Sequence, residues 1–165
     1  MINVAKSVAA EGRVLGPEEG KRIQLPIPGV SVVFKAWGKK SPGDHDLVEM
    51  TLEPGSAGTP RPHVHRNREE LFYVTEGQFG FLVGDQQFMQ VGPGSLVHIP
   101  SGVVHDFRNS GSVRARFMLV TSPAGLDRYF DEMGALYSEG KFSEAALREL
   151  RLKYDTDEVD VSWGR

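Results

Sequence analysis

The sequence predicts an all-β fold followed by a short helical tail, and three observations lead to this expectation. The chain has 165 residues, enough for one domain with its own core. It contains 19 Gly and 10 Pro, a composition typical of folds with many turns. Short apolar or alternating runs recur between these turn residues. We therefore expect a single domain over residues 1–165, with a barrel over about 22–121 and a helical tail over about 123–154.

The expected strands follow one another at the spacing of a meander. Turn dipeptides such as Pro54-Gly55, Glu76-Gly77 and Gly84-Asp85 separate them. The runs are Val30–Trp37, Leu47–Leu52, Glu70–Thr75, Phe79–Val83, Phe88–Val91, Leu96–Ile99 and Val113–Val120. The aromatic residues expected to form the barrel core are Phe72, Phe79, Phe81, Phe107 and Phe117.

After Thr121 the apolar spacing changes from that of strands to that of helices. Apolar residues from Leu126 to Met133 lie on one helix face, and a shorter stripe runs from Leu147 to Tyr154. Both stripes need a surface to cover, and we expect the outside of the barrel or a partner subunit. The acidic, mostly polar tail from Asp155 to Arg165 is expected to be loosely held.

The composition argues against several classes of function. A net charge of −3 and the lack of a long basic run give no support to a nucleic-acid partner. The N-terminus lacks the unbroken apolar stretch of a signal peptide or membrane span, so we expect no membrane association and a cytoplasmic location. The chain has no cysteine, so a metal ion would need nitrogen and oxygen donors.

Three histidines and a glutamate have spacings that suggest metal binding. His63 and His65 lie two residues apart where a strand would begin, so both imidazoles can point to one face. Glu70 opens the next strand on the same face as Phe72, where a buried carboxylate needs a partner. Its neighbour Glu69 is the alternative inward residue. A metal ion shared with the two histidines would supply the partner.

The third histidine lies within a second group of turn residues. Pro100-Ser101-Gly102 can reverse the chain so that His105 begins the returning strand. His105, Phe107 and Asn109 would then point one way, which is inward in a closed barrel.

These residues resemble the two motifs of the cupin superfamily, in particular its small quercetin-dioxygenase-like members. The motif positions are Gly58, His63, His65, Glu70 and Gly77 in the first, and Gly94, Pro100, Gly102, His105 and Asn109 in the second. Four residues rather than the usual five separate Gly58 from His63, a departure that falls in a loop. The resemblance covers about residues 45 to 121 and implies a double-stranded β-helix, or jelly-roll barrel, with one or two C-terminal helices.

The resemblance also implies a chemistry. One divalent transition metal, chosen from Fe, Mn, Ni, Co, Cu and Zn, would be bound by His63, His65, Glu70 and His105, with about two coordination positions left open. Open positions suit a dioxygenase that binds a small organic substrate and dioxygen. The alternatives are a non-oxidative isomerase, lyase or decarboxylase, and a non-catalytic cupin that binds a small molecule. The same residues could instead form a buried hydrogen-bond network without metal.

Other residues carry further predictions. Arg61, Phe72 and Phe107 are the candidate substrate-binding residues, the arginine by attracting an anion and the two rings as an apolar wall. Arg66 and Arg68 share the loop of Arg61, where solvated surface roles are the alternative. A structural or surface role is expected for His98 rather than proton transfer. Family members commonly pair, and a candidate edge strand at Val30–Trp37 predicts a twofold homodimer.

Overall fold

Two antiparallel sheets form most of the molecule. The computed structural model describes residues 13–38, 44–56, 61–85 and 88–160. In spatial order, sheet A consists of β1 (Lys21–Ile23), β2 (Val30–Ala36), β3 (Asp46–Leu52), β10 (Ala115–Ser122), β5 (Glu69–Glu76) and β8 (Leu96–Ile99). Sheet B consists of β11 (Asp157–Glu158), β4 (His63–Val64), β9 (His105–Asn109), β6 (Phe79–Val83) and β7 (Met89–Val91).

The core lies between the sheets, because alternate residues of each strand point inward. The ring of Phe72 is central, with its centroid 5.1, 5.4 and 5.2 Å from those of Phe81, Phe107 and Phe117. All five phenylalanines expected in the core are buried. The expected all-β jelly-roll barrel is therefore confirmed, and each of the predicted runs corresponds to a strand to within about two residues.

Two helices follow the barrel, as the apolar spacing predicted: α1 (Leu126–Ser138) and α2 (Glu144–Lys153). α2 begins after Ser143, whose hydroxyl accepts a hydrogen bond from the Ala146 amide at 3.2 Å. α1 has Gly125 at its N-cap and no side-chain cap of its own. The buried carboxylate of Asp46 in β3 replaces that cap by accepting from the amides of Gly125 and Leu126, both at 2.7 Å.

The position of α1 differs from the sequence expectation. It does not cover the outside of the barrel. Leu126, Tyr129 and Phe130 are buried in the same core as the strands, and the Phe130 ring lies 6.1 Å from that of Phe34. The inward-facing apolar side chains at the barrel opening would be exposed to water if nothing covered them. The apolar face of α1 packs on these side chains and buries them. Among the described residues, no helix is long and apolar enough to cross a membrane.

The chain after α2 is more ordered than expected. The sequence predicted a loose tail from residue 155, but β11 pairs with β4, with Asp157 opposite Val64. The carboxylate of Asp155 also accepts from the amides of Arg66 and Asn67 at 3.0 and 2.8 Å. The polar composition of this segment suggested that it is exposed to solvent. In the structure, the segment instead forms hydrogen bonds with backbone groups of the barrel. Residues 161–165 lie outside the described residues.

The predicted edge strand is also corrected. β2 (Val30–Ala36) is covered on its outer side by β1, with Arg22 opposite Val33. β1 has only three residues, too few for a periodic signal in the sequence. In the described structure β1 and β8 are the edges of sheet A.

Candidate metal centre

The four predicted metal ligands meet inside the barrel. His63 of β4 lies directly opposite His105 of β9, and His65 follows two residues later. The nearest potential ligand atoms of the three imidazoles all lie within 4.8 Å of one another. Glu70 approaches from β5, with its carboxylate 3.1 Å from Nε2 of His105 and 3.5 Å from Nε2 of His65. All four side chains are buried, whereas Glu69 is exposed, so alternation along β5 selects Glu70.

Backbone carbonyls orient the three imidazoles in the same way. Each Nδ1 contacts one carbonyl oxygen, at 3.2 Å for His63 with Arg61, 2.6 Å for His65 with Asp155 and 3.1 Å for His105 with Val103. An Nδ1–H that donates to a carbonyl leaves Nε2 with a free lone pair, which is the tautomer that binds a metal. The backbone thus prepares three nitrogen donors that face one carboxylate.

Burial and mutual contact set the charges of these groups. Burial lowers the pKa of His63 well below its usual range, and His105 and His65 lower it further. Burial alone would raise the pKa of Glu70, but its contacts with His105 and His65 hold it well below the usual range. For His105, burial lowers the pKa and the Glu70 carboxylate raises it, with a net increase. An ionised Glu70 beside a neutral His63 is the protonation state that a metal requires.

The residues present fit a divalent metal ion. Nε2 of His105 is buried, and within the described residues it has no aligned hydrogen-bond partner despite the nearby carboxylate of Glu70. An imidazole nitrogen and a carboxylate oxygen that lie close together without a hydrogen bond between them are expected when both coordinate the same metal ion. Imidazole and carboxylate together suit the first-row transition metals.

A small cavity lies against these ligands, and we call it the metal cavity. Its volume is about 40 Å³, and its walls include Phe72 and Phe107, both predicted to bind substrate. Arg61 does not line it. The Arg61 side chain is exposed and faces a separate pocket of about 290 Å³ together with Arg148 and Arg151.

Two residues that line the metal cavity were not assigned to the site from the sequence, and a third residue has an unexpected burial. Tyr129 of α1 and Thr156 both line the cavity, and the Thr156 hydroxyl lies 3.5 Å from Nδ1 of His65. Both come from the region expected to lie outside the barrel or to be loosely held, so nothing in the sequence placed them here. Arg68 is buried, contrary to the solvated role considered for it. It lies in the loop directly before β5, where strand alternation gives no direction, so the sequence carried no signal for its burial.

His98 lies on the surface, and two further motif residues, Asn109 and Gly77, have structural roles. His98 is half exposed on β8, with Nε2 3.5 Å from a carboxylate oxygen of Glu69, in agreement with the surface role expected for it. The Asn109 amide donates to the carbonyls of Leu52 and Val113 at 2.9 and 2.8 Å. Gly77 has φ 72°, a conformation that side chains rarely adopt. Gly58 lies outside the described residues.

Comparisons with known proteins agree with this architecture. Residues 48–121 match the family described as "Cupin domain". The chain is 25% identical over 150 residues to "Glucose-6-phosphate isomerase" of Thermococcus kodakarensis, a match that covers 84% of this chain and 76% of that protein. It is 30% identical over 120 residues to "Quercetin 2,3-dioxygenase" of Bacillus subtilis, a match that covers 72% of this chain and 35% of that protein.

A solved structure from Silicibacter pomeroyi, described as a sugar phosphate isomerase from a cupin superfamily, is similar with a TM-score of 0.56 and 26% identity. The match covers 66% of this chain and 74% of that one. These relatives have different activities, and the chain spans only about a third of the Bacillus dioxygenase. They identify a family rather than a reaction. By its matching segment, its two-sheet barrel and its buried histidine cluster, the chain belongs to the cupin superfamily.

Proposed function

We propose that the protein is a metal-dependent dioxygenase that acts on a small organic molecule. One divalent transition-metal ion would be held by His63, His65, Glu70 and His105. The observation that carries this proposal is the set of three imidazoles, each oriented by a backbone carbonyl, that faces one buried carboxylate. A metal bound there would supply open coordination positions and, if redox-active, electrons for dioxygen.

The chain's own residues provide a dry site beside the ligands. Phe72, Phe107 and Leu119 form apolar walls, which exclude bulk water and suit the apolar dioxygen molecule. The cavity of about 40 Å³ has room for roughly three water molecules. A small substrate fits this volume better than a large one.

The cavity lining favours oxygenation over isomerisation. An isomerase needs a proton acceptor beside its substrate. Apart from the proposed ligands, Tyr129 is the one ionisable residue among the described residues that line the cavity. Burial raises the pKa of Tyr129, so its hydroxyl stays protonated at neutral pH and provides no phenolate to accept a proton.

A non-oxidative isomerase is the second candidate. The observation that favours it is the similarity to the Thermococcus isomerase, which extends over 84% of this chain. Tyr129 would then hydrogen-bond to an oxygen of the substrate. A non-catalytic cupin that binds a small molecule is the third possibility, and turnover separates it from both enzymes.

Elemental analysis of protein purified without chelator or nickel resin tests the metal site. We expect about one metal per chain in the wild type, since the proposed ligands are three clustered imidazoles and a carboxylate beside two of them. His63→Ala and His105→Ala each remove one donor and should lower metal affinity by at least roughly a hundredfold, more than the loss of an outer contact. His98→Ala, which removes the exposed imidazole of β8, should retain the metal. No uptake of Fe, Mn, Co, Ni, Cu or Zn by the wild type would contradict a metal centre.

Dioxygen consumption tests the reaction class. Protein loaded with Fe²⁺ or Mn²⁺ is incubated with small diketones, phenols and 2-oxo acids, and an oxygen electrode is read alongside substrate loss. Oxygen uptake that matches substrate loss and disappears in His105→Ala supports the dioxygenase. Product formed without oxygen uptake supports the isomerase. Binding without product over the whole panel supports the third possibility.

We also infer that the protein forms a homodimer. The outer face of sheet A exposes Tyr73 and Leu96, which lie opposite each other on β5 and the edge strand β8. Met118 and Val120 extend this apolar surface onto β10. An apolar surface beside an unpaired strand edge favours association with another copy.

A further inference from the structure

The pocket that Arg61 faces contains two further arginines. Arg61, Arg148 and Arg151 line this space of about 290 Å³, which we call the arginine pocket. Arg61 lies in the loop before β4. Arg148 and Arg151 are three residues apart on α2, a spacing that places both on one face of the helix. Guanidinium groups from two distant parts of the chain therefore face one space.

Three carboxylates also line the arginine pocket, and two of them already have partners. Asp157 pairs at 2.8 Å with Arg66, which does not line the pocket, and Glu158 pairs with Arg151. Asp160 is exposed. When Arg66 is included, four guanidinium groups are balanced by three carboxylates. The pocket and its ion pairs thus have a surplus of one positive charge.

Arg151 is held in place, but part of its guanidinium group is not used. Its side chain is 7% exposed, and its Nη1 pairs with Glu158. Its Nε is buried and has no aligned hydrogen-bond partner among the described residues. Burial of a cationic donor without an acceptor is costly. Negative charge from a ligand in the pocket would offset this cost.

Thr156 forms the partition between the arginine pocket and the metal cavity. Its side chain is 5% exposed, and the residue lines both spaces. On the side of the metal cavity, its hydroxyl lies 3.5 Å from Nδ1 of His65. A second contact links the two spaces, because the carbonyl of Arg61 lies 3.2 Å from Nδ1 of His63. The arginines and the metal ligands therefore lie on two sides of a shared wall.

The metal cavity needs an opening, since none of its four proposed ligands is more than 5% exposed. Thr156 directly precedes β11, which pairs with β4 over only two residues. The barrel strand β5, which carries Glu70, has eight residues. A short pairing at the surface opens at a lower free-energy cost than a long strand inside a sheet. The wall at Thr156 is thus a suitable place for an entrance.

The charge surplus indicates which kind of anion fits the arginine pocket. A carboxylate carries one negative charge at neutral pH, whereas a phosphate ester carries about two. One surplus positive charge is balanced by the carboxylate. The planar guanidinium fork also matches a carboxylate, with which it forms two parallel hydrogen bonds. A volume of about 290 Å³ suits a small organic molecule.

We propose that the arginine pocket binds the carboxylate of a small organic acid and is the entrance to the metal cavity, which opens when Thr156 moves. The exposed Arg61 and Arg148 contact the carboxylate, and the buried Arg151 supplies fixed positive charge. The anion-binding role predicted for Arg61 then belongs to the entrance rather than to the metal cavity. This inference rests on the proposed metal-dependent function and adds the substrate class and its path.

Calorimetric titration of the metal-free full chain tests the carboxylate site. The probes are benzoate, its neutral analogue benzamide, and inorganic phosphate. The double variant Arg61→Met with Arg148→Met removes two exposed charges of the pocket. Arg128→Met is the matched control, because Arg128 is exposed on α1 and does not line the pocket. Asp160→Asn removes the carboxylate that competes with the ligand.

We expect the wild type to bind benzoate more tightly than benzamide or phosphate. The double variant should bind benzoate about tenfold more weakly, the effect of two exposed charge-assisted contacts. Arg128→Met should match the wild type, and Asp160→Asn should bind benzoate about twofold to fivefold more tightly. No benzoate binding by the wild type, or a double variant within about twofold of it, would overturn the carboxylate site. Tighter binding of phosphate would overturn the choice of carboxylate.

The rate of cobalt loss tests the entrance. The full chain loaded with Co²⁺ is mixed with dipicolinate, a chelator with two carboxylates, or with the neutral chelator phenanthroline. Thr156→Ser makes the partition smaller and keeps its hydroxyl, whereas Thr156→Val keeps the size and removes the hydroxyl. Thr156→Ser should lose cobalt to both chelators at least about threefold faster than the wild type, because a smaller partition lowers the barrier to opening. Thr156→Val should match the wild type.

The two chelators also test whether ligands pass the arginines. The double variant Arg61→Met with Arg148→Met should lose cobalt to dipicolinate about threefold more slowly, with no change for phenanthroline. Equal slowing for both chelators, or a wild-type rate for Thr156→Ser, would contradict the entrance. If the wild type takes up no cobalt, the metal proposal fails, while titration of the metal-free chain still decides whether the arginine pocket binds a carboxylate.

Discussion

At the scale of single residues, one buried carboxylate fastens α1 to the barrel. Asp46 is fully buried and accepts hydrogen bonds from three backbone amides, those of Gly38 at 2.9 Å and of Gly125 and Leu126 at 2.7 Å. An ionised acceptor at the start of a helix is also favoured by the helix dipole. The attachment of α1, and with it the position of Tyr129, depends on this side chain.

Asp46→Ala should therefore be strongly destabilising. It leaves three amides without their acceptor, and we expect the free energy of unfolding to fall by roughly 3–5 kcal/mol. Urea denaturation of the metal-free protein measures this loss. Glu53→Ala, which removes an exposed carboxylate, is the control and should change stability by less than about 0.5 kcal/mol. Similar stability for both variants would show that α1 is held mainly by apolar packing.

Single residues also show where sequence reasoning succeeds and where it stops. Glu70 was preferred over Glu69 by spacing, and the structure buries Glu70 and exposes Glu69. Arg61 was chosen over Arg68 as the anion-binding residue, yet Arg68 is the buried one. Alternation along a strand predicts the direction in which each side chain points. For a residue in the loop before the strand, the direction of the side chain depends on the loop conformation, which the sequence does not give.

At the scale of elements, a tyrosine at the end of α2 links the two helices. The Tyr154 hydroxyl donates to the Glu132 carboxylate of α1 at 2.5 Å. Burial and this carboxylate raise the pKa of Tyr154 to about 12. Contacts with Lys153 and Tyr154 in turn lower the pKa of Glu132. The pair holds α2 against the helix that closes the barrel.

The raised pKa of Tyr154 predicts a pH dependence at high pH. A group whose pKa is higher in the folded state stabilises the fold fully below its unfolded pKa, near 10, and this contribution is lost as pH rises toward 12. Stability of the wild type should fall between pH 10 and 11 more steeply than that of Tyr154→Phe. Below pH 9 the variant should be less stable by about 1 kcal/mol, the usual contribution of one hydrogen bond.

Urea denaturation across this pH range checks the prediction. Tyr137→Phe, which alters an exposed tyrosine of α1, should follow the wild type at every pH. Parallel curves for the wild type and Tyr154→Phe above pH 10 would show that the hydroxyl does not contribute through Glu132.

At the scale of the whole molecule, the apolar outer face of sheet A predicts self-association. Tyr73 is 48% exposed and Leu96 is 61% exposed, and they form one cross-strand pair at the β8 edge. We expect the wild type to be a dimer at micromolar concentration in light scattering coupled to size exclusion. The double variant Tyr73→Lys with Leu96→Lys should be monomeric, because it places charges in the apolar contact.

Leu152→Lys is the control for this experiment. Leu152 is 55% exposed on α2, away from sheet A, so its substitution should leave the dimer intact. A monomeric wild type would contradict the homodimer. A dimer that survives the double variant would place the interface on another surface.

Local rules, namely the alternation of strands and the chemistry of turns, predicted the strands and the aromatic core from the sequence. The jelly-roll barrel and the set of three histidines with a glutamate were implied by the resemblance of the two motifs to the cupin superfamily. What closes the barrel became visible only in the folded chain. α1 lies over the metal cavity, β11 pairs with β4, and the Asp155 carbonyl contacts His65 across 90 residues of chain. An apolar stripe shows that one face of a helix must be buried, but not which surface buries it. The composition of a polar tail does not show which distant backbone amides will form hydrogen bonds with it. The burial of Arg68 belongs to this second group.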